Sequence, residues 1–212
     1  MTKRHEYKYA VEGVYLSEIL DIIRFHPMGF SEAYDQRKVN NFYLDTIPLD
    51  FFYQNIDGIA RRRKFRYRWY GDLETTSTAQ LEIKNKENEL GWKETIMLDP
   101  KALTEKATLL AHFQTLKRSN AELVPMLYNS YWRYYYESAD GIFRITVDYK
   151  QIFGRPFHFD QPYYEEATDP NIIVELKFDE AHIDRLDEVT MYLPFLRTKN
   201  SKYSNGVVAV YF

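Results

Sequence analysis

Arg61-Arg62-Arg63-Lys64-Phe65-Arg66-Tyr67-Arg68-Trp69-Tyr70 is the stretch around which the rest of the 212-residue chain is organised. From Lys64 onward basic and aromatic residues alternate strictly, and successive side chains of a strand point to opposite faces. Lys64, Arg66 and Arg68 therefore share one face, and Phe65, Tyr67 and Trp69 share the other. A charged strand face ordinarily meets water, so this strand alone predicts no more than a solvated edge. The neighbouring segments change that reading, because the same division recurs along the chain.

Arg4 to Ala10 sets Arg4, Glu6 and Lys8 against His5, Tyr7 and Tyr9. Gln80 to Lys86 sets Gln80, Glu82, Lys84 and Lys86 against Leu81 and Ile83. Further strands are predicted at Val39 to Asp45, Trp92 to Leu98, Leu127 to Glu137, Ile142 to Tyr149 and Ile172 to Phe178. Arg133, Tyr135 and Glu137 oppose Trp132, Tyr134 and Tyr136; Arg144, Thr146 and Asp148 oppose Phe143, Ile145 and Val147; Glu175 and Lys177 interrupt an otherwise apolar run. Asn88 with Gly91 and Asp140-Gly141 mark turns. Helices are expected from Leu16 to Ile23, in a short piece through Phe52 and Tyr53 capped by Thr46, after Asp99-Pro100, and after Asp179-Glu180. The stretch from Lys150 to Pro170 reads as loop with short strand pieces. Lys199 to Gly206 is polar, and Val207 to Phe212 is apolar and fits a final helix or strand.

Composition bounds the function. With 45% hydrophobic and 17% aromatic residues the chain can build a sizeable core, and residues 1–212 are expected to form one domain. A net charge of −3 argues against a surface attractive to polyanions everywhere, so any anion site is local. The absence of cysteine excludes disulfides, thiolate metal sites and a cysteine nucleophile. The five histidines are scattered without ligand spacing. No apolar signal core and no run of about 20 apolar residues is present. A cytoplasmic chain without its own membrane span is expected, and a membrane protein partner is left open.

Eight mainly antiparallel strands can close into a barrel that holds side chains or a small ligand. The expected class is α+β: an eight-stranded barrel, aromatic faces outward under helices, charged faces inward. Same-face neighbours about 7 Å apart repel by roughly 2 kcal/mol per like-charge pair at an effective dielectric near 20. Glu6, Glu82, Glu137, Asp148 and Glu175 are too few to neutralise Lys8, Arg66, Arg68, Lys84, Lys86, Lys93, Arg133, Arg144 and Lys177. Such a lining invites a polyanion. Guanidinium forks suit phosphate oxygens, and carboxylates beside phosphates suit Mg²⁺ or Mn²⁺.

These residues fall into a pattern: Glu6-Tyr-Lys8-Tyr9, Tyr43-Leu-Asp45-Thr46, Arg66-Tyr-Arg68-Trp69-Tyr70-Gly71, Glu82-Ile-Lys84, Arg133, Arg144 with Asp148, Glu175-Leu-Lys177 and Lys199-Asn-Ser-Lys202-Tyr203. In order and spacing it resembles the VTC domain, the polyphosphate polymerase branch of the triphosphate tunnel metalloenzymes. The resemblance implies that Lys8, Arg66, Arg68, Lys84, Lys93, Arg133, Arg144, Lys199 and Lys202 bind phosphates and that Glu175 holds the divalent metal. Lys199 and Lys202, placed at the tunnel mouth, come from the resemblance alone. Lys86, Glu82, Glu137 and Asp148 come from strand alternation alone. The sister triphosphatases open with Glu-x-Glu-x-Lys, whereas this chain has Arg4-x-Glu6-x-Lys8. A base replaces the first acid, which favours the polymerase branch while leaving residual triphosphate hydrolysis open.

The function expected from these readings is transfer of the terminal phosphoryl group of a nucleoside triphosphate, ATP in the first instance, to phosphate or a growing polyphosphate chain. Water as acceptor would make the protein a triphosphatase, and a non-catalytic polyphosphate-binding module would tolerate loss of Glu175. Nucleic-acid binding through Arg61 to Arg68 would need aromatics beside the charges, and they lie on the opposite face.

Overall fold

A computed structural model describes residues 4–87, 90–115, 122–158 and 161–212. Its strands are β1 (Arg4–Val11), β2 (Ser31–Asp45), β3 (Arg61–Tyr70), β4 (Ala79–Glu87), β5 (Leu90–Leu98), β6 (Val124–Glu137), β7 (Arg144–His158), β8 (Gln161–Asp169) and β9 (Ile172–Asp179). All their pairings are antiparallel. The order β6-β2-β3-β4-β5-β1-β9-β7 closes into a ring of eight strands because β6 also pairs with β7, and β8 adds a ninth. β7 is long enough to serve two partners on one edge: Arg144 to Asp148 pair with β9, and Gln151 to His158 with β8. Between β1 and β5 the register pair among the described residues is Arg4 opposite Gly91.

Helices α1 (Leu16–Arg24), α2 (Asp50–Ile56), α3 (Lys106–Thr115), α4 (Asp187–Thr190) and α5 (Lys202–Tyr211) pack around this ring. Ile19, Leu20 and Ile23 of α1, with Val189 of α4, bury the outward residues Tyr9, Ile145, Val147, Val174 and Leu176. Phe65, Tyr67 and Trp69, the aromatic face of β3, are buried with Leu81, Ile83, Leu103 and Leu109. Apolar faces therefore point outward under helices, which leaves the charged faces to the interior. A third cluster differs in kind. Tyr203, Val207 and Val210 of α5 pack on Tyr43, Leu127 and Phe153, so α5 lies across one end of the ring. Gly206 permits this approach, since a Cβ there would stand 2.5 Å from Phe153 Cδ1 and 2.6 Å from Leu127 Cδ2.

Several boundaries differ from expectation. β2 begins at Ser31, because residues 31–37 are exposed and show no apolar alternation yet pair with β6 across two register shifts. The segment read as loop with short strand pieces, Lys150 to Pro170, holds two long strand stretches among its described residues: β7 runs to His158, and β8 covers Gln161–Asp169. A bulge between Phe153 and Gly154, together with positive φ at Lys150 and Phe157, breaks the period of two that alternation relies on. The short α2 starts after Pro48, and Thr46 shares its capping with Asp45: Thr46 Oγ1 accepts from the N–H of Asp50, and the Asp45 carboxylate from those of Phe51 and Phe52. The final helix starts at Lys202, inside the polar tail. Asn88 of the expected turn lies outside the described residues. Among the described residues no helix is long and apolar enough to cross a membrane.

Candidate functional site

The ring interior holds two linked charge clusters. In the first, Arg66 of β3 lies opposite Glu82 of β4 in register, and the alternation that buries Phe65 and Tyr67 outside turns both side chains inward. Arg66 Nε donates to Glu82 Oε2 at 2.6 Å, Lys93 Nζ from β5 donates to Oε1 at 2.7 Å, Gln80 donates at 3.1 Å and Arg68 stands at 3.6 Å. Glu82 is almost wholly buried; burial alone would raise its pKa, but Arg66, Arg68 and Lys93 hold it far below the usual carboxylate range. Arg68 is fixed by Asn41 Oδ1 at 2.9 Å and by the Tyr131 hydroxyl at 3.1 Å.

The second cluster centres on Glu175 of β9 and Asp148 of β7. Arg133 grips Asp148 with two bonds of 2.5 and 2.6 Å, and Lys202 Nζ reaches the same carboxylate at 2.5 Å. Glu175 is shared among Lys177 at 2.8 Å, Lys8 at 3.3 Å, Arg133 at 3.5 Å and Lys202 at 3.8 Å. Burial pushes Glu175 up, and Lys177, Lys8, Lys202 and Arg133 together outweigh it and hold it ionised. Glu6 joins the two clusters, pairing with Lys8 at 3.1 Å and with Lys84 of β4 at 2.9 Å.

Positive charge exceeds negative throughout. Glu6, Glu82, Asp148 and Glu175 serve Lys8, Arg66, Arg68, Lys84, Lys93, Arg133, Lys177 and Lys202. Lys64 adds another cation, donating to Ser201 Oγ at 2.8 Å. Burial first, then Lys8, Lys84, Arg62 and Arg66, press its pKa well below that of a free lysine. Tyr131 answers the same field in the opposite sense: burial would raise it, yet Arg133, Arg68 and Lys202 bring its pKa below the ordinary phenol value. Both shifts report the same local excess of positive over negative charge.

Lys202 owes its position to a link between two of the sequence segments quoted above. The buried Asp45 carboxylate accepts from the backbone N–H groups of Thr46, Phe51 and Phe52 and from the Tyr203 hydroxyl, which joins α2 to the first turn of α5. Burial and the Asp45 carboxylate both raise the Tyr203 pKa, so the hydroxyl keeps the proton it donates.

A family model of the VTC domain matches residues 3–211. The chain belongs to the VTC domain family. No curated protein matches the sequence significantly. Solved structures with the same fold include an assigned adenylate cyclase from Vibrio parahaemolyticus, at TM-score 0.59 and 13% identity over 98% of this chain and 99% of that one. The PH1819 protein of Pyrococcus horikoshii aligns at TM-score 0.57 and 14% identity over 97% of both chains. HpAC1 from Hippeastrum, an assigned adenylyl cyclase described as having a dominant triphosphatase activity, aligns at 0.54 and 14% identity over 100% of this chain and 98% of that one.

In this VTC domain, Lys8, Arg66, Arg68, Lys84, Lys93, Arg133, Lys177 and Lys202 come together with Glu6, Glu82, Asp148 and Glu175. Arg144 and Glu137 do not reach the buried clusters; they pair with each other at 3.1 Å on the exposed rim. Lys199, expected at the mouth, is exposed, while Lys202 lies deeper than a mouth position, buried against Asp148. Lys86 is half-buried on the inward face of β4. Trp92, at the start of the expected strand to Leu98, is exposed. The polar partners Asn41, Tyr43, Tyr131 and Ser201 were not anticipated. Tyr131 could have been, since it shares the period-2 face of Arg133 and Tyr135. A cavity of about 130 Å³ adjoins Arg68, lined by Tyr70, Thr78, Ala79, Gln80 and Met97.

The donor set fits a divalent cation of the Mg²⁺ or Mn²⁺ kind, which takes oxygen ligands. Glu175 and Glu6 supply carboxylates, and Asn200 Oδ1 is a buried acceptor with no hydrogen-bond partner among the described residues. Among those residues no group of three or more His, Cys, Asp or Glu converges.

Proposed function

We propose that this VTC domain is a metal-dependent phosphotransferase that binds the phosphates of a nucleoside triphosphate, ATP in the first instance, inside the ring and passes the terminal phosphoryl group to phosphate or to a growing polyphosphate chain. The observation that carries this reading is the inward-facing excess of guanidinium and ammonium groups over carboxylates, from buried Arg68, Arg133 and Lys202 to partly exposed Lys84 and Lys93, with each carboxylate serving several cations. Phosphate oxygens can take over the donors that Glu82, Asp148 and Glu175 now engage. Arg66, Arg68 and Arg133 are already oriented by Glu82, Tyr43, Asn41, Tyr131 and Asp148, so little reorganisation is needed as charge spreads over the transferring group.

Glu175 would hold the divalent cation, whose contribution when bound is to neutralise charge on the phosphate chain. The chain's own residues do the rest: the arginines grip non-bridging oxygens, Lys8 and Lys202 offset charge near Glu175, and the packed outer layers keep the cavity rigid. No protein nucleophile is required. Burial of Phe65, Tyr67 and Trp69 under the outer layer removes the stacking platform that single-stranded nucleic acid would use. Hydrolysis of triphosphate is the second reading, favoured by the likeness to HpAC1; the two differ in whether water or phosphate accepts.

Incubation with ATP and Mn²⁺, with and without a short polyphosphate primer, tests the proposal when products are resolved by size beside Glu175→Ala. Long chains made by the wild type and lost in the variant are expected. Free phosphate without chains would transfer the conclusion to a triphosphatase, and no turnover with binding unaffected by the substitution would leave a binding module.

A further inference from the structure

Three oxygens from three separate segments converge on the Lys8 ammonium. Glu6 Oε1 of β1 lies at 3.1 Å, Glu175 Oε1 of β9 at 3.3 Å, and the main-chain carbonyl of Asn200, just before α5, at 3.1 Å. The far oxygens of both carboxylates are engaged elsewhere, Glu6 Oε2 by Lys84 at 2.9 Å and Glu175 Oε2 by Lys177 at 2.8 Å. Lys202 also stands 3.8 Å from Glu175 Oε1. Both Oε1 atoms and a backbone carbonyl thus surround one cation, and Asn200 contributes the buried, unpartnered Oδ1 beside it in the chain.

Three acceptors match the three N–H donors of an ammonium, but the set also suits another kind of cation. Two carboxylates and a carbonyl form an all-oxygen set of the kind that hard divalent cations prefer, and its formal charge of two matches theirs better than a lysine's. Lys8 is held at its main chain, where Thr198 N–H donates to its carbonyl at 2.8 Å. Beyond that anchor its four-carbon stem is flexible, so the ammonium can change partners without moving the strand. Lys64 and Lys84 flank it, so a phosphate chain arriving among these cations would attract the ammonium away from the carboxylates.

We propose that the Lys8 ammonium and a divalent cation are alternative occupants of this three-oxygen position, with Glu6 and the Asn200 carbonyl joining Glu175 as ligands, and that the metal enters together with the phosphate chain that draws Lys8 onto itself. The second half rests on the phosphotransferase reading above; the first half does not. Metal and triphosphate then bind with positive coupling, and the coupling runs through Lys8.

Mn²⁺ titration of the full chain without nucleotide, followed by the electron paramagnetic resonance signal of free Mn²⁺, tests this directly. Lys8→Met is expected to bind Mn²⁺ at least about tenfold more tightly than the wild type, the scale of an ordinary coupling between sites. Lys84→Met and Lys177→Met serve as charge controls, because each removes one positive charge from the same two carboxylates but from the far oxygens; they are expected to tighten Mn²⁺ binding by no more than about threefold. Equal tightening in all three variants would reduce the effect to net charge and overturn the proposal, as would no tightening in Lys8→Met. Should Lys8→Met not fold, Lys8→Gln carries the same expectation, with a polar group left to the carboxylates. Absence of ATP turnover by the wild-type protein with Mn²⁺, alongside a tenfold effect of Lys8→Met on Mn²⁺ binding, would refute the phosphotransferase reading and leave the shared cation position standing.

Discussion

Replacing Asp148 by Asn keeps the shape of a fully buried side chain and removes the charge on which Arg133 and Lys202 both rely. Their remaining carboxylate is Glu175, at 3.5 Å from Arg133 and 3.8 Å from Lys202. Breaking a buried ion pair by removing one partner costs about 3–5 kcal/mol, because the other charge stays buried without compensation. For a chain of this length each kcal/mol moves the melting temperature by about 2–4 °C, so a fall of about 6–20 °C is expected. Thermal unfolding in a phosphate-free buffer at pH 7 measures it. Inorganic tripolyphosphate should raise the variant's melting temperature more than the wild type's, since the added anion meets cations that Asp148 no longer engages. Glu188→Gln, which loosens the exposed pair with Arg185, is the control and should change little. A fall below about 2 °C, or equal stabilisation of both proteins by tripolyphosphate, would refute the reasoning that these cations are held in place by too few carboxylates.

Acid should unfold the protein in a defined direction. Glu6, Glu82, Asp148 and Glu175 all titrate below their ordinary values when folded, the surrounding lysines and arginines outweighing burial. Unfolded carboxylates titrate near pH 4, so their contribution is complete above about pH 5 and is lost progressively as pH falls toward the folded values; calorimetry from pH 6 to pH 3 that showed flat stability would contradict it. Lys64→Met should raise the melting temperature at pH 7, because burial and four neighbouring cations disfavour its charged form, while weakening tripolyphosphate binding. A lower melting temperature would count against that reading. Gly206→Ala forces a methyl group into Phe153 and Leu127 and should cost about 1–3 kcal/mol despite the better helix propensity of alanine; urea unfolding that showed a gain would mean α5 has room to shift.

Strand faces were legible where the period of two is unbroken. Lys64 to Tyr70, Gln80 to Lys86 and Ile145 to Asp148 present alternating chemistry, and each turns its charged residues toward the ring interior. Legibility failed where geometry departs from that period. The bulge near Gly154 and the positive φ of Lys150 and Phe157 hid the end of β7 and the whole of β8. Residues 31–37 carry no apolar signal because they are exposed, and their strand is set by pairing with β6 alone. Lys202 could not be placed by alternation, since its depth depends on the contact between Tyr203 and Asp45 across 158 residues of sequence. Arg144 and Glu137 show the limit of face assignment: both lie on inward faces, but near strand ends, where the ring opens to solvent and a pair can satisfy itself.

The central claim is that the buried cations form one site for a chain of phosphates, and calorimetric titration with orthophosphate, pyrophosphate and tripolyphosphate tests it most directly. Affinity should rise steeply with each added phosphate, and Arg66→Ala and Arg133→Ala, drawn from the two charge clusters, should each abolish most of that rise. Orthophosphate bound as tightly as tripolyphosphate, or a chain-length dependence unchanged in both variants, would contradict the account.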